Sequence, residues 1–423
     1  MRILSMSSKY KDSCCHPDQF SSCMNVIDKR VLNVALLGHN TESENLGISA
    51  FSLAQLAILD EVAERLGVSL SVDVFAGRRK VPGQTFGRNI AFRLIPDYCS
   101  PKRILRGLVT RPFAFRRCDL IIDMSDGDSF ADIYGWQRAL LYISLKLIAE
   151  ANGRKLIVAP MTIGPWNHPF WRRLAGFSLR HADHVFARDE ISARFAQEEL
   201  HRDSVICSTD LAMVLPYEKR IVPRDMCCLF GLNISGLLWT NGYTGSNEFG
   251  IREPYADSMR KAIRALLDKG GVRVVLVAHV FPRKGVQELD IEACRELQRE
   301  FPSVEVAPEF RNPIEAKSYI SGFDIFAGAR MHSCIAAFSS GVPLIPLAYS
   351  RKFDSLFGSL GYRRTVDLRS ASSQEIAHAL CTSVDQLQEI RAEVEEGNEK
   401  VTLLLEPYKA CIYNNLKMAL ERE

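Results

Sequence analysis

The chain has 423 residues, 47% hydrophobic and 24% charged, with 53 Lys and Arg against 50 Asp and Glu for a formal charge of +3. That length favours two domains over one, and a charge so close to zero argues against wholesale binding of nucleic acid, so an anionic ligand must be met by local clusters of cations. The twelve cysteines are scattered without zinc or redox spacing; they read as reduced thiols of a cytosolic protein, and the cluster Cys14, Cys15, His16 and Cys23 lacks a second ligand pair, so no metal site is expected.

Residues 1–30 show no periodicity and are expected to form a poorly ordered leader without chemistry. They lack the apolar core of a signal peptide, and no apolar run reaches the ~20 residues of a membrane span, so the expected location is the cytoplasm. From Val31 onward, short runs rich in Val, Ile and Leu alternate with amphipathic stretches, the pattern of βα units around parallel sheets. Strands are predicted at 32–37, 70–75, 119–124, 155–159 and 184–187, completing a first Rossmann-like domain over 31–215. Pro216 and Pro223 then bracket Glu218, Lys219 and Arg220, a linker composition. The alternation repeats with strand 227–233, helix 253–268, strand 272–278, helix 287–301, strand 304–306 and helix 313–321. Strand 324–327, helix 331–340 and strand 343–346 come next, defining a second Rossmann-like domain over 216–385. Residues 386–423 belong to C-terminal helices expected to close that second domain. The fold class is therefore α/β: two Rossmann-like domains facing a cleft, GT-B-like, with a C-terminal helical segment. Ligands of open α/β sheets sit beyond the carboxyl ends of the strands, which makes the cleft the expected site.

Two junctions in the second domain are basic. In Ala327-Gly328-Ala329-Arg330-Met331-His332-Ser333 a strand ends, a glycine turns the chain and a helix begins, so Arg330 and His332 are expected to face the cleft from a helix N-terminus that already favours an anion. Alone, this pattern fits equally a helix-capping histidine and an arginine in an ordinary surface pair. The next junction, Tyr349-Ser350-Arg351-Lys352-Phe353, adds two more cations, and two converging basic junctions suit a doubly anionic ligand.

Arg-x-His, an apolar helix, Gly341-Val342-Pro343 and then Tyr349-x-x-Lys352 together resemble the polysaccharide pyruvyl transferase family. Ala159-Pro160-Met161-Thr162-Ile163-Gly164-Pro165-Trp166 is similar to a Pro-Gln-Thr-Ile-Gly-Pro-Phe segment of that family, with Met161 where Gln is common. Ala187-Arg188-Asp189-Glu190-Ile191-Ser192 resembles its Ala-Arg-Asp-x-x-Ser segment, and Ser125-Asp126-Gly127-Asp128-Ser129-Phe130-Ala131-Asp132-Ile133-Tyr134-Gly135 its glycine-rich loop. Asn45-Leu46-Gly47-Ile48-Ser49-Ala50 resembles Asn-x-Gly-Asp-x-Ala, with Ile48 in place of the usual Asp. The resemblance spans Val31 to Tyr362.

The resemblance implies transfer of the enolpyruvyl unit of phosphoenolpyruvate onto two hydroxyls of a sugar, in a polysaccharide or its lipid-linked precursor, giving a pyruvate ketal and phosphate. The donor is a substrate, and no cofactor is implied. His332 is then the expected acid, with Arg188 and Lys352 stabilising the departing phosphate. Arg330, Met331 and Ser333 are expected to bind the donor. Asp126, Asp128 and Asp132, with Asn45 and Gly164, are expected on the acceptor side, since carboxylates accept hydrogen bonds from sugar hydroxyls; the same acidic loop would equally serve to cap a helix. Lys102, Arg103, Arg106, Arg111, Arg116 and Arg117, interleaved with apolar residues, read either as a solvated face or as a peripheral contact with the inner face of the cytoplasmic membrane. The other readings are a nucleotide-sugar glycosyltransferase of the same two-lobed shape and a non-catalytic sugar-binding relative. The absence of Glu between His332 and Gly341 disfavours the former. Acceptor identity and oligomeric state are not encoded legibly.

Overall fold

The computed structural model describes residues 29–43, 46–75, 81–95, 115–223, 227–281 and 289–422. Nearly all of the leader, with its cysteine cluster, therefore lies outside the described residues, as do Asn45 and the basic residues Lys102, Arg103, Arg106 and Arg111.

The first lobe is built on β1 (Val31–Leu37), β2 (Ser69–Phe75), β3 (Val81–Phe86), β4 (Ile90–Ile95), β5 (Leu120–Asp123), β6 (Leu156–Met161), β7 (His184–Ala187) and β8 (Ile206–Cys207). They form one sheet in the order β3-β4-β2-β1-β5-β6-β7-β8. Helices α1 (Leu46–Leu66), α2 (Trp136–Ala151), α3 (Pro169–Arg180) and α4 (Glu190–Glu198) cover it. Its central strands are parallel and buried on both faces, which is why they read as continuous apolar runs. The strands predicted from apolar runs do not include the antiparallel hairpin β3–β4 at the edge. Pro82, Gly83 and Gln84 hide β3, and only an edge strand with a register shift between Val81 and Gln84 tolerates them.

The second lobe carries β9 (Cys228–Asn233), β10 (Val272–Val277), β11 (Glu305–Val306), β12 (Ile325–Gly328), β13 (Leu344–Ala348) and β14 (Val366–Asp367) in the parallel order β11-β10-β9-β12-β13-β14. Its helices are α5 (Gly236–Trp239), α6 (Tyr255–Lys269), α7 (Asp290–Glu300), α8 (Pro313–Ile320), α9 (Met331–Ser339), α10 (Arg351–Ser359) and α11 (Ser373–Asp385), with α12 (Leu387–Glu421) after them. Two Rossmann-like lobes thus face one another.

The C-terminal helices do not both close the second domain. α11 does, against α6, with Ser258 and Ser373 hydroxyls 2.9 Å apart. α12 crosses back to the first lobe, where Tyr408 donates to Gln55 of α1 at 2.5 Å and Lys409 meets Glu61 at 2.6 Å. Its 35 residues span about 50 Å, enough to reach both lobes, and Ile390, Val394, Val401, Leu405, Tyr408, Ile412 and Leu416 form one buried stripe along it. The forward crossing is fastened by Lys317 of α8, whose buried ammonium donates to the carbonyls of Met213 and Leu215 at 3.0 and 2.9 Å.

α1 has the length and apolarity of a membrane span, but 72% of its most apolar window is buried inside the fold. It is apolar on more than one side because the first sheet, α12 and the inter-lobe turn Leu211–Val214 all pack on it.

Candidate active site

Four of the expected residues converge where strand ends of the two lobes meet. Arg188 comes directly after β7, and its amide donates to the carbonyl of Met161 at 3.1 Å. Among the described residues its buried side chain makes a single hydrogen bond, 3.4 Å to Asp210, and a 3.8 Å ion pair with Asp189, and its guanidinium lies 5.8 Å from the centre of the Phe51 ring. Asp210 is wholly buried, which pushes its carboxyl up to about 6 although Arg188 pulls the other way.

His332 lies in the first turn of α9 and reaches across to α1. Its ring meets Phe51 edge-on at 5.1 Å, and a Cβ on Gly47 would collide with its Nδ1, so only glycine admits the imidazole there. Nε2 is shut off from solvent and has no hydrogen-bond partner among the described residues. Burial holds the imidazole down at about 3, Arg188, His279 and Lys352 add to the effect, and Asp128 opposes it. The free site therefore holds His332 neutral.

Lys352, in α10, spans the cleft to Asp128 of the first lobe at 3.2 Å. Asp128 also accepts from the Tyr134 hydroxyl at 2.9 Å. Burial alone would raise its carboxyl, but Lys352 and Arg188 carry it below the usual range. The acidic loop around it is anchored to the lobe: Ser125 and Asp126 adopt φ of 45° and 55°, and buried Lys146 pairs with Asp123 while donating to Ser125 at 3.0 Å.

The remaining expected residues have other occupations. Arg330 is turned into its own lobe, its Nε and Nη2 held by fully buried Asp290 at 2.7–3.3 Å. The Ser333 hydroxyl donates to the Arg330 carbonyl at 2.7 Å, inside the helix, and Met331 packs against the core. Asp126 is consumed by Arg138 and Tyr142, both at 2.5 Å. Asp132 accepts from the amide of His168 at 2.7 Å, tying the acidic loop to the segment after β6. Gly164, at φ 82°, faces Phe195 rather than the cleft; a Cβ there would meet that ring at 2.6 Å.

Three residues of the site carry no sign in the sequence pattern used above. Asp210 and Asp290 set the two arginines, and nothing in their local sequence marks them. Asp290 also accepts from the amides of Gly236, His279 and Val280, gathering three segments of the second lobe. His279 is the second histidine acting on His332; burial, with Arg330 adding, holds it down at about 3. Its place just after β10, at a strand end, is a signal that could have found it. Among the described residues, no group of three His, Cys, Asp or Glu is arranged to hold a metal ion.

A family model described as polysaccharide pyruvyl transferase matches residues 45–351. The chain belongs to that family. Comparison with curated proteins found no match. Solved structures similar to this pyruvyl transferase family member include a sucrose-phosphate synthase from Thermosynechococcus elongatus, 12% identical, with a TM-score of 0.53 over 93% of this chain and 100% of that one. A putative UDP-N-acetylglucosamine 2-epimerase from Listeria monocytogenes is 12% identical, with a TM-score of 0.54 over 93% and 97%. A trehalose-phosphate synthase from Burkholderia vietnamiensis is 10% identical, with a TM-score of 0.51 over 92% and 100%. At such identities the likeness speaks for the fold, two Rossmann-like lobes of GT-B type, and for nothing finer.

Proposed function

We propose that this family member joins pyruvate from phosphoenolpyruvate to two hydroxyls of a sugar as a cyclic ketal. The observation that carries the reading is the meeting of Arg188 and Lys352, from opposite lobes, around a histidine whose Nε2 has no partner among the described residues. Phosphate and carboxylate of the donor suit those cations, and Lys352 would exchange Asp128 for the donor. Burial is the main force that keeps His332 uncharged; neutralising both cations removes two of the lesser ones, and the donor's own negative charge favours the imidazolium, so proton affinity rises as the donor arrives. His332 then protonates C3 while one sugar hydroxyl adds to C2 and gives up its own proton. The second hydroxyl displaces phosphate from C2, its proton leaving with the phosphate, and the ketal carbon keeps its methyl, carboxylate and two sugar oxygens. Asp128, released by Lys352, would accept the proton of the first hydroxyl.

In this reading the acceptor is a sugar, free or lipid-linked, and the protein works in the cytoplasm where the donor is made. Arg116 and Arg117 are the described part of the basic stretch that would meet an anionic membrane. Incubation with phosphoenolpyruvate and galactose-, mannose- and N-acetylhexosamine-terminated acceptors should release phosphate and ketal together, and His332→Asn should stop both. Stabilisation by nucleotide sugars but not by phosphoenolpyruvate in a thermal-shift assay would instead favour a glycosyltransferase.

A further inference from the structure

Two of the three carboxylates expected to grip the acceptor are spent on the fold, and what the loop presents beside the third is aromatic. Tyr134 and Trp136 directly follow the acidic loop and are 41% and 53% exposed; Tyr243, in the segment after α5 of the other lobe, is 65% exposed. The two tyrosine rings are not loose. The Tyr134 hydroxyl donates to Asp128, and its ring lies 5.5 Å from the guanidinium of Arg138, which is itself bound to Asp126. Tyr243 packs 6.1 Å from Phe249, which packs 4.9 Å from Tyr349, three residues before the Lys352 that meets Asp128. Glu248 holds the Tyr243 amide at 2.7 Å. The Tyr243 phenol is near enough to add to the upward push that burial and Asp128 exert on the Tyr134 hydroxyl.

Large rings held rigidly in water contribute little to folding, whereas amphipathic rings with few rotatable bonds are efficient recognition groups. A pyranose offers the complement: a face of C–H groups for the ring and a rim of hydroxyls for Asp128 and the tyrosine oxygens. We propose that Tyr134, Trp136 and Tyr243 form a carbohydrate-stacking platform at the mouth of the cleft, holding the acceptor sugars next to the one that receives pyruvate. The choice of a glycan as occupant rests on the pyruvyl transferase reading; the binding itself does not require the donor.

Calorimetric titration of the full chain with a panel of hexose and N-acetylhexosamine oligosaccharides, without donor, tests this directly. At least one oligosaccharide should bind more tightly than its monosaccharide, and Trp136→Ala and Tyr243→Ala should each weaken it roughly ten-fold while leaving the monosaccharide unchanged. Leu403→Ala, on the exposed side of α12, should bind as the wild type does. All three variants alter exposed side chains and should keep the wild-type melting temperature. Failure of every oligosaccharide to bind, or wild-type binding by both aromatic variants, overturns the platform. Oligosaccharide binding lost in the variants, with no phosphate release from phosphoenolpyruvate by the wild type, removes the donor chemistry and leaves the platform standing.

Discussion

Arg188 and Arg330 occupy corresponding places in the two lobes. Each stands just past the carboxyl end of a parallel strand, precedes a helix and meets a fully buried aspartate. They differ in how much of the guanidinium is consumed. Asp290 holds Arg330 through two nitrogens at 2.7–3.3 Å while accepting three backbone amides, whereas Asp210 meets Arg188 through one 3.4 Å contact and keeps its carboxyl up at about 6. The same sequence sign thus marks a structural clamp in one lobe and, in the other, a cation with donors to spare for a ligand.

The sharpest way to break this comparison is to remove each arginine. Arg330→Ala leaves Asp290 buried without its cation, and urea unfolding should show a loss of about 3–5 kcal/mol. Arg188→Ala should cost less stability, because Asp210 already sits high enough to neutralise itself by taking a proton. Its larger effect should be on turnover, with phosphate release about 10²–10³-fold slower. A stable but inactive Arg330→Ala beside an unstable Arg188→Ala would reverse the two assignments.

What could be read from the sequence divides along the same line. Strands buried on both faces are legible because parallel pairing demands apolar runs, and β7 falls at His184–Ala187, where its run predicts it. The hairpin β3–β4 is not, since an edge strand can carry Pro82 and Gly83. Arg188, His332 and Lys352 are legible through the resemblance, and the structure brings them together. The burial of Arg330 is not, because Asp290 lies 40 residues away and is delivered by a different helix. A sequence displays the residue that comes next after a strand, but not the partner that meets it across the fold. Gly47 makes the converse point: it belongs to the resemblance with no physical reason visible in the sequence, and the reason is the imidazole of His332 lying against it.

The lobes are alike in burying a neutral histidine at a strand end, His39 after β1 and His279 after β10, held down at about 4 and about 3, in each case chiefly by burial. An unfolded chain binds protons at these positions from the ordinary histidine value of ~6.5, so the folded state loses stability as pH falls below that value. Each histidine costs about 2 kcal/mol by pH 5. Asp210 works in the opposite direction, because its raised carboxyl takes up a proton in the folded state first and returns about 1 kcal/mol there. His332, likewise held down at about 3, adds a third such cost, so net destabilisation should amount to about 4–5 kcal/mol between pH 7 and pH 5. His279→Asn should flatten the slope in a series of thermal melts, and an unchanged slope would mean that His279 is charged in the fold.

The smallest effect separates the two arginines most finely. If Arg188 has donors to spare, it spends them on the incoming dianion, and with Lys352 likewise engaged the proton affinity of His332 rises from its low free-site value. Binding of phosphoenolpyruvate is then coupled to proton uptake, and affinity should increase as pH falls, by at most about ten-fold per pH unit for one proton. Calorimetry at pH 7 in buffers of different ionisation heat reads that uptake directly. It should disappear in His332→Asn beyond what the donor's own phosphate contributes. It should survive Met331→Leu, which leaves every charged group in place. If the uptake is the same in wild type and His332→Asn, the imidazole does not sense the anion, and the acid must be sought elsewhere in the cleft, with His279, whose charge acts on His332, the first to test.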